Sequence, residues 1–259
     1  MTDDFFRALT TLILGLPRIM MVLYVLPVLS SEMIFSTVFR YSLAIALLMV
    51  LFPVIYVQIP SGGIGIAAGI ILAIKEVFVG LILGFFFSLP FWAITGVGFV
   101  IDRQRGSSSG ATMLSITGMQ TSPMGVLFVL SIAALFFVSG GFLVMLKSLY
   151  YSHEIWPIIS PLPTLSLRSL DFIFDQFQWF LYAIVLIAAP VTILLFLIDL
   201  SMGLLNRFVP QINVFFLSMP IKSMCATFLL IVYIYSISGY FEAHFLKLYS
   251  IIVDFGSLF

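Results

Sequence analysis

Charge is what this chain lacks most. Only 8% of its 259 residues are Asp, Glu, Lys or Arg, while 62% are hydrophobic. Soluble domains carry roughly 25% charged residues, so there is too little polar surface here for a molecule wetted on all sides. The mean hydropathy of +1.24 agrees, and the composition describes an integral membrane protein. Eleven basic and eleven acidic residues cancel, which leaves no broad basic face and excludes nucleic acid as a partner. A lone cysteine, Cys225, excludes an internal disulfide and a cysteine-built metal centre. Histidine is nearly as scarce. His153 and His244 lie far apart, form no ligand-spaced motif, and are expected as interfacial polar residues. Neither HExxH nor GxxxxGK[ST] occurs, so metalloprotease and P-loop chemistry have no footing, and no metal, cofactor or catalytic residue is expected. The opening MTDDFFR is acidic where a cleavable signal is basic, and it is expected to stay attached.

Long apolar runs fill the rest. A spanning helix needs about 20 mostly apolar residues, and six segments qualify: Leu9 to Leu29, Tyr41 to Ile59, Ile64 to Ile101, Pro123 to Leu146, Trp179 to Ile198 and Met224 to Phe241. The expected fold is an all-α polytopic membrane protein, with several helices kinked or broken. The third segment is too long for one straight crossing and contains Lys75, Glu76 and Pro90. Proline removes a helical hydrogen bond and bends the axis, so this segment is expected as a short helix plus a kinked one, or a re-entrant pair. Arg18 sits inside the first segment, and Pro53 and Pro190 inside the second and fifth. Charge and broken backbone at membrane depth persist only where protein or water covers them. Lys75 and Glu76 are sequence neighbours that do not face each other on a helix, so each is expected to pair elsewhere. Basic residues fall almost one per connection, and no orientation follows from the positive-inside rule.

Three polar islands interrupt the runs. In FVIDRQRGSSSGATMLSITGMQTSP, residues 99–123, Gly106, Gly110 and Gly118 with Ser107, Ser108 and Ser109 favour loop over helix. A solvated connection is one reading. The other is a plug, because the loop is uncharged after Arg105 yet keeps Met113, Ile116 and Met119. Asp102, Arg103 and Arg105 lead it, as a local salt bridge or an anchor. Between Lys147 and Gln178, Pro157, Pro161 and Pro163 mark an irregular stretch, followed by an amphipathic helix with Leu167, Leu170, Phe174 and Phe177 at helical spacing. The third island, Asp199 to Ser223, reads equally as the turn of a helical hairpin or as a polar docking surface. Ser139, Gly140 and Gly141 are a weak signal for close helix packing.

Together, KEVFVGLILGF, LPFWAITGVGFVIDRQRGSSSG, SPMGVLFVLSIAALFFVSGGF and LLNRFVPQINVFFLSMPIK resemble the T protein of the bacterial type III secretion export apparatus, the family that includes flagellar FliR. The likeness runs from about Arg18 to Phe241, and the DRQRG at 102–106 is more like the injectisome branch. The resemblance implies an inner-membrane, non-enzymatic export-gate subunit that forms and gates a pore for secreted proteins. It implies R and S subunits, the U switch protein and the V export-ring protein as partners, besides membrane lipid. Residues 1–146 would be R-like, with a plug-like loop at 102–122. Residues 147–178 would form the irregular segment and amphipathic helix, and 179–259 an S-like hairpin plus tail. Neighbouring subunits would then satisfy the buried charges. Gly106 to Met119 would gate, Asp102, Arg103 and Arg105 would anchor, and Asn206, Arg207, Pro210, Gln211, Asn213 and Lys222 would contact subunits. The alternative is a secondary transporter using Arg18, Asp102 or Asp199, but no internal repeat of the kind such folds show is apparent. A lipid-modifying enzyme would need a nucleophile–base pair, and none is apparent either.

Overall fold

The computed structural model describes residues 2–29, 37–60, 64–106, 122–160, 167–211 and 213–256. Among these there is no strand. The elements are α1 (Thr2–Val25), a 3₁₀ turn (Pro27–Leu29), α2 (Thr37–Gln58), α3 (Ile66–Arg105), α4 (Pro123–Val138), α5 (Gly141–Ile155), α6 (Leu167–Phe208) and α7 (Val214–Gly256). Among the described residues five helices are long and apolar enough to cross a membrane, and α4 with α5, bent by 69° at the break between them, counts as a sixth when the pair is taken as one span. This is the expected all-α polytopic architecture.

Individual elements depart from expectation. The stretch from Ile66 to Arg105 is one helix of 40 residues with Pro90 inside it. A proline costs one hydrogen bond and some steric strain, and here the flanking Leu89, Phe91, Ala93 and Ile94 are all buried. Packing holds the helix through the defect. Conversely, the expected single span from Pro123 to Leu146 is broken at Gly140. That residue takes φ +83°, a conformation open to glycine and costly to other residues. A side chain at Gly140 would meet nothing within 4 Å, so backbone conformation, rather than close approach, calls for glycine there.

The amphipathic helix and the fifth span are a single helix, α6, of 42 residues. Helix α7 extends past Phe241 to Gly256. Its last third is only moderately apolar, but Phe241, Phe245, Leu248, Ile252 and Phe255 recur at three- and four-residue spacing, and all are buried. A one-sided stripe of that period keeps a helix docked.

The chain forms two compact units. Unit 1 comprises Met1–Leu89, Gly140–Gln176 and His244–Phe259; unit 2 comprises Pro90–Ser139 and Phe177–Ala243. The core of unit 1 gathers Leu14, Ile19 and Leu23 of α1, Leu48 and Ile55 of α2, and Phe86 of α3. Phe86 meets Phe255 edge to face at 5.2 Å. In unit 2, Phe91 and Phe136 pack edge to face at 5.4 Å, and Trp179 stacks on Tyr240 at 6.2 Å.

Candidate functional site

Unit 2 contains the neck of the polar loop. Helix α3 ends at Arg105 and α4 begins at Pro123. A Cβ at Gly98 would collide with the backbone of Gly125, lying 2.9 Å from the Met124 carbonyl carbon. The two helices therefore touch backbone to backbone, and this brings the end of one to the start of the other.

Asp102 holds that junction. The residue is buried, at 3% exposure, and both side-chain oxygens are used. Oδ1 accepts from the Arg105 guanidinium. Oδ2 accepts from the Ser122 hydroxyl at 2.6 Å and from the Met124 amide at 3.0 Å. Ser122 Oγ in turn accepts from the Gly125 amide at 2.9 Å, capping α4 with Pro123 in its first turn. Caps of this kind satisfy amides that a helix start leaves unpaired, and a carboxylate at that end also meets the positive pole of the helix dipole. One buried carboxylate thus ties the residue before the loop to the residues after it.

Two further ties fix the neck. The Gln104 carbonyl accepts from Lys222 Nζ at 3.3 Å, and Gln104 Nε2 donates to the Thr192 carbonyl at 3.3 Å. Lys222 also pairs with Asp199. Gly106 closes the helix with φ +80°, its amide donating to the Arg103 carbonyl at 3.2 Å. Of the expected anchors, Asp102 and Arg105 meet in the structure. Arg103 points outward, with no side-chain partner among the described residues. Ser107, Ser108, Ser109, Gly110, Met113, Ile116, Gly118 and Met119 lie outside the described residues.

The run Gly106 to Gly110 spells G-x-S-x-G. That motif needs a strand–turn–helix setting to activate its serine, and here it follows a helix.

Unit 1 holds a second polar cluster, and it corrects the expectation that neighbouring subunits satisfy the buried charges. Arg18 is fully buried. Its Nε donates to Glu76 Oε2 at 2.6 Å and Nη2 to Oε1 at 2.9 Å. The remaining donors reach the carbonyls of Ser152 and Trp156, both at 2.8 Å. Lys75 Nζ donates to the carbonyls of Pro157, Ile158 and Ser160 at 2.6, 2.9 and 3.3 Å. It also lies 2.9 Å from Glu76 Oε1. The sequence neighbours therefore share a contact after all, because the long lysine side chain curls back while Glu76 bridges two cations. Three α-helices and the turn after α5 are joined by this cluster.

In the third island, Asn206, Arg207, Pro210, Gln211 and Asn213 are all exposed. Asn213 Oδ1 accepts from the Phe216 amide at 3.5 Å, at the start of α7. Lys222 is buried at the neck instead. The histidines are corrected as well: His153 and His244 are 2% and 8% exposed and belong to the interior. From sequence, Ser122 is expected only as the end of the plug-like loop; its capping role is passed over, though serine before proline at the head of an apolar run is a recognisable helix start. The Lys222–Asp199 pair carries no such signal. Among the described residues, no cluster of three metal-capable side chains occurs.

The model of bacterial export proteins, family 1, matches residues 9–248. The chain is 35% identical to the Yop proteins translocation protein T of Yersinia pestis over 231 residues, 88% of this chain and 87% of that protein. It is 36% identical to the surface presentation of antigens protein SpaR of Shigella flexneri, covering 71% of this chain and 72% of that one. The flagellar biosynthetic protein FliR of Bacillus subtilis is 34% identical, over 62% and 63%. With a match over nearly its whole length and helices built to span, the chain belongs to the bacterial export proteins of family 1 and is a multi-pass protein of the inner membrane.

Proposed function

We propose that this protein is a non-enzymatic subunit of the export gate of a type III secretion system, of the injectisome kind, and that it helps to form and gate the pore for secreted proteins. Its relatives are a translocation protein and a flagellar biosynthetic protein, which supports the export role. The observation that carries gating is the Asp102 neck. A single buried carboxylate gathers both ends of a small-residue, methionine-bearing loop. Loop closure by such a clip restricts where the loop can reach. Methionine side chains let it pack against varied surfaces and be displaced cheaply. A conduit wide enough for an unfolded chain needs such a stopper at rest, or ions leak.

The R and S subunits, the U switch protein and the V ring protein are the partners this reading requires. The exposed Asn206, Arg207, Gln211 and Asn213 are the surface offered to a subunit. In this reading residues 1–146 act as the R-like part and 179–259 as the S-like hairpin with its tail. The transporter alternative loses support, because Arg18 and Asp102 are buried and fully engaged within the chain.

Deleting residues 107–117 is expected to raise resting conductance of the assembled gate in planar bilayers severalfold while complex yield holds. Unchanged conductance with normal assembly would remove the gating role and leave the export family intact.

A further inference from the structure

We propose that a groove on unit 1, formed by α2, the second half of α5 and the end of α7, binds the headgroup of a zwitterionic phospholipid of the phosphatidylethanolamine type. The groove encloses about 400 Å³. Val50, Leu51 and Val54 form its apolar wall, and Lys147, Tyr151, Glu154 and Tyr249 its polar one. The Lys147 ammonium lies 4.3 Å from the Tyr249 ring centroid, and the rings of Tyr151 and Tyr249 are 5.9 Å apart. Among the described residues neither Lys147 nor Glu154 has an ion-pair partner, in contrast to every acid and base of the Arg18 and Asp102 clusters.

The two charges lie seven residues apart on α5, which places them on one face, about 10 Å apart along the axis. A cation at one end and an anion at the other match a phosphate joined to an ammonium. A singly anionic headgroup would gain the lysine and be repelled by the glutamate, so the zwitterion is the better fit. His153 adds an independent sign of a donor-bearing ligand. It lines the groove and is 2% exposed. Its Nδ1 lies 3.1 Å from the Leu149 carbonyl, which only accepts, while Nε2 has no partner among the described residues. In the tautomer that this contact selects, Nε2 is a buried acceptor on a residue that lines the groove, suited to an N–H donor. The apolar wall continues into an exposed row on α2, where Val50, Val54 and Val57 are 62%, 50% and 77% exposed. An acyl chain laid along that row would cover it. Tyrosine and lysine together are also the side chains that favour the membrane–water interface. Other grooves, such as that beside Leu194, Met224 and Phe228, are apolar throughout and specify no occupant.

The test uses the full chain, delipidated in mild detergent and titrated with dioleoylphosphatidylethanolamine, dioleoylphosphatidylcholine and dioleoylphosphatidylglycerol, with bound lipid counted by native mass spectrometry. The wild type is expected to retain the ethanolamine lipid about tenfold better than the glycerol lipid, as one charge-assisted hydrogen bond allows. Glu154→Gln should erase that preference, and Lys147→Gln should weaken all three lipids. Both side chains are exposed, and an unchanged circular dichroism spectrum checks that the variants fold. Equal retention of the three lipids by the wild type, an unchanged ranking in folded Glu154→Gln, or a bound peptide in place of lipid would each overturn the proposal. The wild-type ranking decides even if a variant fails to fold.

Discussion

The Arg18 cluster and the Asp102 neck both bury charge, but they bury it differently. In the first, one carboxylate serves two cations, and five backbone carbonyls absorb their remaining donors. Every partner is part of a helix or of the turn that follows α5. In the second, one carboxylate serves one guanidinium, one hydroxyl and one amide, and the elements it joins are the two ends of a loop. The first is redundant and closes on itself. In the second, Asp102 alone links the two ends through side-chain hydrogen bonds among the described residues, so its loss is felt by whatever the loop does. The lesson is that burial of a charge does not say what the charge is for; the number and kind of its partners do.

The contrast can be broken at its strongest point first. Glu76→Gln leaves the buried Arg18 and Lys75 without a counter-charge, and breaking a buried pair in this way costs about 3–5 kcal/mol. Loss of the monodisperse peak in detergent, or a large fall in melting temperature, is expected. Near-normal stability would mean that the carbonyls alone suffice.

Asp102→Asn is expected to cost less, about 1.5–3 kcal/mol, the range for hydrogen bonds to charged groups. Its main reading should be different: faster limited proteolysis within residues 107–121 and higher resting conductance, with the helical spectrum unchanged. A fall in stability without either functional sign would make Asp102 a fold residue like Glu76.

The smallest change sharpens the comparison further. Ser122→Ala removes a helix cap and should cost about 1 kcal/mol, while Arg103→Ala, next to the clip in sequence but outside it in space, should stay within about 0.5 kcal/mol. Parallel chemical denaturation of the two would expose the difference, and equal losses would argue against the clip geometry.

The spans were legible because twenty apolar residues have few other uses. Averaged hydropathy hid the rest of α7, since Glu242, His244 and Lys247 dilute a stripe whose period still marks one buried face. It also hid the break at Gly140, where the runs on either side of Ser139–Gly141 remain apolar and only the backbone turns. Arg18 and Glu76 are 58 residues apart, and Lys75 reaches a carbonyl 82 residues on. No local pattern announces such a meeting, so the sequence displayed the charges and left their partners open. At the neck, Asp102 and Arg105 could be named from their spacing, whereas the contribution of Ser122 emerges only when two helix ends come together.

The three carbonyls gathered on Lys75 give the turn at residues 157–160 the arrangement that many proteins obtain by coordinating a calcium or sodium ion. Here the central cation is an amine carried by the polypeptide itself. It cannot be chelated, exchanged or diluted away, so this corner of the molecule should be indifferent to the supply of inorganic ions around the cell.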